Sequence, residues 1–181
     1  NRTPELKDLE EAFAKLVEEQ RALMVKDEFD KIYTEAGASG MNATTNSDST
    51  IYFITVPANK IELWFWMESE RLLQPVFREF YSERDVVQEE RRMRVESTPT
   101  GRFDEQLNAM FWTAHPYKWD AIGWMSDLKT LSMADAQDFF ATYYAPGNLT
   151  AALVGNITVD EAKALAEKYF GRIPPSAKPV P

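Results

Sequence analysis

Apolar residues recur at helical spacing from Leu6 through Leu9, Phe13 and Leu16 to Leu23, the pattern of one face of a helix. Thr3-Pro4-Glu5 joins a capping hydroxyl, a proline suited to the first helical position and an early acid. A helix is expected from there to about Met24. A second, near Asp27 to Glu35, carries Phe29, Ile32 and Tyr33, and the two read as an antiparallel helical hairpin. Gly37, Gly40 and Asn42 break the period. Met41 to Thr45 and Thr50 to Val56 then read as strands around the turn Asn46-Ser47-Asp48, since a β-branched and aromatic run bounded by turn residues favours a hairpin.

Helical spacing returns after Pro57-Ala58-Asn59, and Lys60 to about Leu73 is expected to be a helix with Leu63, Trp64, Met67, Leu72 and Leu73 on its apolar side. Ser82 with Asp85 has the form of a capping box and predicts a helix running to about Ser97. Thr98 to Gly101 is a turn, Arg102 to Thr113 a helix, and Ala114 to Lys129 a loop. Ser132 with Asp135 and Thr158 with Glu161 are two more capping boxes, opening helices to Tyr144 and Phe170. Between them lie the turn Pro146-Gly147-Asn148 and an expected strand, Leu149 to Val154. Gly171 is placed to end the last helix, and the Pro-rich tail reads as an inter-domain linker. The fold class is therefore α+β: an antiparallel sheet covered by helices. The expected organisation is a helical hairpin insertion over 1–36, a partial half-domain over 37–172 and a linker over 173–181.

Composition narrows the function. The 181 residues are 44% hydrophobic and 13% aromatic, enough for a core. A net charge of −9 argues against nucleic acid as a partner, because phosphate binding needs clustered Lys and Arg. No apolar run is long enough to span a membrane. There is no Cys and a single His, His115. Thiolate metal sites and disulfides are excluded, and a catalytic zinc site usually needs at least two His. The lack of Cys suits the bacterial periplasm and the cytoplasm equally.

Glu83 and Glu90 stand seven residues apart, and at about 100° per residue that spacing returns to nearly the same helix face. Val86, Val87 and Met93 lie on or beside that face. Carboxylates on a partly apolar stripe call for a cation or for neutralisation. The other reading is a solvated face, since Arg84, Arg91, Arg92 and Arg94 share the helix and Glu90 can pair with one of them.

The segments also form an ordered series: Gly40-x-Asn42-Ala43-Thr44 with Asp48-x-Thr50-x-Tyr52; Glu83-Arg84-Asp85-Val86-Val87-x-Glu89-Glu90; Gly101-Arg102; His115-Pro116-Tyr117; Gly123-Trp124; and Phe139-x-x-x-Tyr143-Tyr144-Ala145-Pro146-x-Asn148 leading to Gly155-x-Ile157. Over roughly Asp27 to Pro175 the chain resembles the pitrilysin/insulinase family of inverted-motif zinc metallopeptidases, in a bacterial branch that includes processing-peptidase-like proteins. In that family, zinc is bound by the two His of His-x-x-Glu-His and by a Glu on a later helix. The resemblance implies that Glu90 is the third zinc ligand and that Glu83 supports the metal site without binding the ion. It implies that the general base, the Glu of His-x-x-Glu-His, is absent from this chain, as is the His pair. Asn42, Ala43 and Thr44 map onto an edge strand that holds peptide substrate in extended form, a binding mode with little sequence demand. The implied protein is a zinc-dependent endopeptidase, with peptide or protein substrates and further half-domains as partners. This chain alone is expected to bind no zinc and to be inactive. A non-catalytic peptide-holding or partner subunit of the same family is the alternative, and an unrelated α+β interaction module is a third.

The resemblance further implies that a preceding segment would add strands and a helix to this sheet. Without it an edge and apolar surface stay uncovered, so the 181-residue chain is expected to form homo-oligomers or exchange strands. Light scattering at high concentration checks this, and a strictly monomeric profile overturns it.

Overall fold

The structure is a computed structural model and describes residues 3–23, 25 and 27–175. The expected helix end at Met24 and most of the expected linker, 176–181, lie outside the described residues. Eight α-helices and one antiparallel strand pair make an α+β fold among the described residues. Helix α1 spans Pro4–Ala22 and α2 spans Glu28–Glu35. The Thr3 hydroxyl accepts from the Leu6 N–H at 3.3 Å, as the cap predicts.

Strands β1 (Ser39–Thr45) and β2 (Thr50–Thr55) form the hairpin. Their register pairs Asn42 with Phe53, Ala43 with Tyr52 and Thr44 with Ile51. The ladder is irregular between Ser39 and Asn42, where Gly40 takes φ +66°, a left-handed conformation that glycine adopts without steric cost. At the turn, Asn46 Oδ1 accepts from the N–H groups of Asp48 and Ser49, both at 2.9 Å. This side-chain mimic of a backbone turn is the reason Asn is favoured there.

Helix α3 (Ile61–Leu73) is the central element. Phe65 is fully buried and its ring meets Trp64 and Phe170 at 4.9 and 5.5 Å. Phe170 follows α8 (Val159–Tyr169), so the aromatic cluster joins α8 to α3. Lys168 and Tyr169 donate to Glu62 at 2.7 and 2.8 Å. Arg172 donates to the buried Ser69 hydroxyl and to Glu70, both at 2.9 Å. Phe170 is the C-cap of α8, so Gly171 stands just past the helix end as expected, but without a left-handed φ. It lies in a 3-10 turn over Phe170–Arg172 that carries the Arg172 side chain back to α3.

The glutamate helix starts earlier than predicted and reaches its predicted end near Ser97 as a π-turn rather than an α-helix. Helix α4 runs Phe80–Arg91 with Glu79 before it, and Ser82 lies inside its first turn rather than at its cap. Aromatic packing decides that start: Phe80 meets Tyr81 edge-on at 5.1 Å, and Phe77 meets Phe140 at 5.9 Å. At the other end the helix widens to a π-turn over Arg92–Glu96, with Ser97 N–H donating to Arg92 O at 2.9 Å. Helix α5 (Gly101–Phe111) begins directly against this turn. A Cβ on Gly101 would lie 2.5 Å from the Val95 carbonyl oxygen and 2.4 Å from Thr98 Oγ1.

The expected loop Ala114–Lys129 contains a 3-10 turn at Pro116–Lys118 and the start of a short helix, α6 (Met125–Thr130). Arg84 of α4 reaches across to Leu131 O, at the end of α6, at 3.0 Å. Helix α7 (Met133–Tyr143) and α8 open on the two predicted capping boxes, Ser132/Asp135 and Thr158/Glu161. Those bonds hold Asp135 and Glu161 below the usual carboxylate range, so their stabilisation is present above the unfolded carboxylate pKa and fades as pH falls through the folded one. Leu149 to Val154 is not a strand: no partner strand lies beside it among the described residues, and Val154 is fully exposed. A strand is defined by its ladder, so a β-prone run without a neighbour remains merely extended.

Gly101→Ala is expected to destabilise the fold by about 1–3 kcal/mol, the usual cost of overpacking. Thermal or urea denaturation checks this, and an unchanged midpoint would show that the π-turn can move away.

Candidate functional site

Helix α4 sets Glu83 and Glu90 along one side of its axis, but their surroundings differ. Glu83 is exposed and is absent from the open depression of about 540 Å³ lined by Asp85, Val86, Glu89, Glu90, Met93 and Arg94. Glu90 lines it with its side chain 37% exposed, and one oxygen meets Arg94 Nη2 at 3.0 Å. Glu89 pairs with Arg92. The charge on Glu90 is thus neutralised from within its own helix.

What fixes this helix is Arg91, one of several arginines near its C-terminal end. Arg91 is buried. Its guanidinium meets both carboxylate oxygens of Glu105 on α5, at 2.7 and 3.0 Å, and donates to Gly123 O at 2.6 Å. The Trp124 ring lies 5.7 Å from its centre. The bond to Glu105 leads the upward shift of the Arg91 pKa. Three separate pieces of the ordered series, the glutamate helix, the segment after Gly101-Arg102 and Gly123-Trp124, therefore meet at one cation. Arg91 stands in the charged run Gln88-Glu89-Glu90-Arg91-Arg92-Met93-Arg94, so its neighbours in sequence did not mark it, and its partner could not be read from spacing.

Two more pieces of the series touch across the hairpin. Tyr117, in His115-Pro116-Tyr117, donates its phenol to both oxygens of Asp48, each at 2.8 Å, and that bond raises the phenol pKa. The phenol oxygens of Tyr52 and Tyr144 lie 2.5 Å apart, and burial pushes Tyr144 well above the ordinary phenol range. Arg71 of α3 lies 4.7 Å from the centre of the Tyr52 ring and pairs with Glu68, which accepts from the buried Tyr33 phenol at 3.0 Å. The hairpin is held at its turn, along β2 and through α3. Along β1, Asn42, Ala43 and Thr44 are all exposed. β1 pairs only with β2 among the described residues, and Asn42 Oδ1 accepts from Ala43 N–H at 2.8 Å.

The donors present do not make a zinc site. A catalytic zinc needs three protein ligands of His, Cys, Asp or Glu type, and no such group of three occurs among the described residues. His115 packs against the rings of Trp112 and Tyr117 at 5.5 and 4.4 Å and accepts from Tyr117 N–H through Nδ1. The structure does not bring it together with Glu90 as a metal-binding group.

Residues 130–181 match the family described as the peptidase M16 inactive domain. The chain is 34% identical over 145 residues to the zinc protease PqqE of Helicobacter pylori, a match covering 79% of this chain and 32% of that protein. The fold superimposes on the crystal structure of a protease from Helicobacter pylori with a TM-score of 0.77 and 32% identity, over 85% of this chain and 38% of that one. It also superimposes on the first half of the periplasmic protease PqqL from Escherichia coli, with a TM-score of 0.64 at 24% identity, over 78% and 31% of the two chains.

In sequence and fold the chain is similar to part of the M16 peptidases. This is the pitrilysin/insulinase group that the ordered motif series resembles. The chain spans about a third of the length of PqqE. No described helix is long and apolar enough to cross a membrane.

Removing Arg91 would leave Glu105 charged and buried, so Arg91→Met is expected to cost about 3–5 kcal/mol. The double variant Arg91→Met/Glu105→Leu, which removes both charges, is expected to recover most of that loss. Urea denaturation of the two variants checks this, and a double variant no more stable than the single one would refute the ion pair as the source.

Proposed function

We propose that this chain is part of a zinc-dependent endopeptidase in which peptides are held as an added strand along the outer edge of β1. The observation that carries the reading is the exposed, singly paired β1, clamped from behind by Tyr52–Tyr144 and Asp48–Tyr117. A rigid strand with one open edge offers backbone donors and acceptors to any extended peptide. Asn42 Oδ1 already occupies the Ala43 N–H, which blunts the edge against indiscriminate pairing. An arriving peptide carbonyl would displace that side-chain oxygen, and the freed Asn42 amide would then bond the peptide itself.

In this reading Glu90 offers one carboxylate to the metal and Glu83 supports it from the same helix side. The His pair and the general base belong to another stretch of polypeptide, since the chain has one His and it is engaged elsewhere. The chain by itself is then inactive. The Glu90–Arg94 ion pair favours a second reading, in which the chain is a non-catalytic subunit that only holds peptide.

Three measurements test these readings. The isolated chain is expected to bind no stoichiometric zinc near neutral pH and to cleave no peptide; one tightly held zinc per chain would refute that. Saturation with an extended peptide is expected to slow amide exchange at Ala43 to Thr45, and Asn42→Ala to weaken the effect; unchanged exchange sinks both readings. In the active assembly, Glu83→Gln is expected to lower activity by roughly 10–100-fold, and Glu90→Gln by more. Full activity in both variants would leave only the peptide-holding subunit.

A further inference from the structure

The hairpin register decides which side chains an added strand would meet. Residues directly opposite each other in an antiparallel ladder share a face, and the two faces alternate along each strand. Asn42 pairs with Phe53 and Thr44 with Ile51, so these four side chains stand on one face. Ala43 pairs with Tyr52 and Thr45 with Thr50, which puts them on the other.

The two faces are unlike. On the Tyr52 face the side chains are engaged. The Thr45 and Thr50 hydroxyls lie 3.1 Å apart, and Tyr52 meets the Tyr144 phenol and lies under the Arg71 guanidinium. On the opposite face Ile51 and Phe53 are each 51% exposed. Their neighbours there in β1, Asn42 and Thr44, are short and exposed. Two large apolar side chains on β2 thus form a wall, two short polar ones on β1 form a low floor beside it, and the open edge lies beyond.

A strand added along β1 runs about 4.8 Å outside it and roughly twice that distance from β2. A short side chain on the added strand ends over Asn42 or Thr44. A leucine or phenylalanine extends over that floor toward the wall, since long and aromatic side chains reach past their directly opposite neighbour. Each such contact takes apolar surface of both partners out of water. Strand amides point alternately to the two sides, and the Ala43 N–H, which bonds the Asn42 side chain, is one that points away from β2. A peptide residue bonded opposite Ala43 therefore shares the Tyr52 face. The residues immediately before and after it lie on the Ile51–Phe53 face.

We propose that Ile51 and Phe53 determine specificity: the edge of β1 selects extended peptides with bulky apolar residues two positions apart, on either side of a residue turned to the Tyr52 face. The preference rests on the peptide binding along β1 proposed above and adds the class of substrate to it.

The test uses the 181-residue chain and two peptides of about eight residues, the length of a strand, with the same composition. In one, Thr and Leu alternate, so Leu recurs at every second position. In the other they run in pairs, Leu-Leu-Thr-Thr, so no two Leu stand two positions apart. Both carry Lys at each end against self-pairing. Binding is read as slowed amide exchange at Ala43 to Thr45 along a peptide titration. The alternating peptide is expected to bind about fivefold tighter. Ile51→Thr/Phe53→Thr keeps residues of high strand propensity and is expected to bring the two peptides within about twofold. Ile51→Thr alone, the milder change, is expected to lower the preference in the same direction, whereas Phe53→Leu keeps it. A preference undiminished in the first two variants, or lost in Phe53→Leu, overturns the proposal. Equal protection by both peptides on the unaltered chain overturns this specificity and leaves peptide binding along β1 standing. Protection by neither peptide removes that binding, and the specificity with it. Two other outcomes also overturn the proposal: self-association that the double variant dissolves assigns the face to a second copy, and protection at Tyr52 and Ile54 in place of Ala43 and Thr45 moves the peptide to the far edge of β2.

Discussion

Much of the arrangement depends on one buried cation. Arg91 stands at the end of α4, and its guanidinium binds Glu105 on α5 and the carbonyl of Gly123 while packing on Trp124. A buried guanidinium is tolerated only when its charge and its donors are met. Here α5 and the Gly123 segment meet the charge and the two terminal nitrogens, while Nε has no hydrogen-bond partner among the described residues and lies 3.9 Å from Glu96. The residue before it, Glu90, is fixed in turn by the helix that Arg91 anchors. The π-turn that follows lets the chain fold back closely enough for Gly101 to lie against the Val95 backbone. A single electrostatic demand thereby sets the path of the chain from α4 to Trp124 and orients the face that carries the candidate ligand.

A different set of contacts holds the hairpin. Its strands are exposed and bury little apolar surface of their own, and an isolated two-stranded hairpin is marginal in water. Phenol groups provide the attachment: Tyr117 to the turn, Tyr144 to β2, and the Tyr33–Glu68–Arg71 chain beneath Tyr52. These ties leave the outer side of β1 uncovered. The proposed peptide binding uses this open side, where the Asn42 side chain already accepts from the Ala43 amide.

Uncovered surface is a general property of this chain. The M16 half-domains it resembles belong to longer proteins, and it spans about a third of PqqE. Val154, the α1 stripe and the outer edge of β1 all lack the neighbours that would bury them among the described residues. For Leu149 to Val154 this decides secondary structure itself, since a β-prone run has no ladder to join.

The sequence alone determined the local elements whose signals are local. Helical periods, the Ser132 and Thr158 capping boxes and the Asn46 turn depend on residues within a few positions of one another, and the structure carries each of them. The family was also legible, because the order of short motifs along the chain needs no coordinates. Long-range and competing interactions were decided only in the tertiary structure. The start of α4 went to aromatic packing over a plausible Ser82 cap, and a short helix emerged inside the expected loop 114–129. Arg91 proved to be the anchor although it is one of four arginines between Arg84 and Arg94, because choosing among them depends on which one faces Glu105, fourteen positions along the chain and on another element. The Glu83–Glu90 spacing stated that two carboxylates share a side. Only the fold showed that Glu90 lines a depression with Arg94 on its carboxylate and that Glu83 does not, because charge neutralisation depends on distance in space.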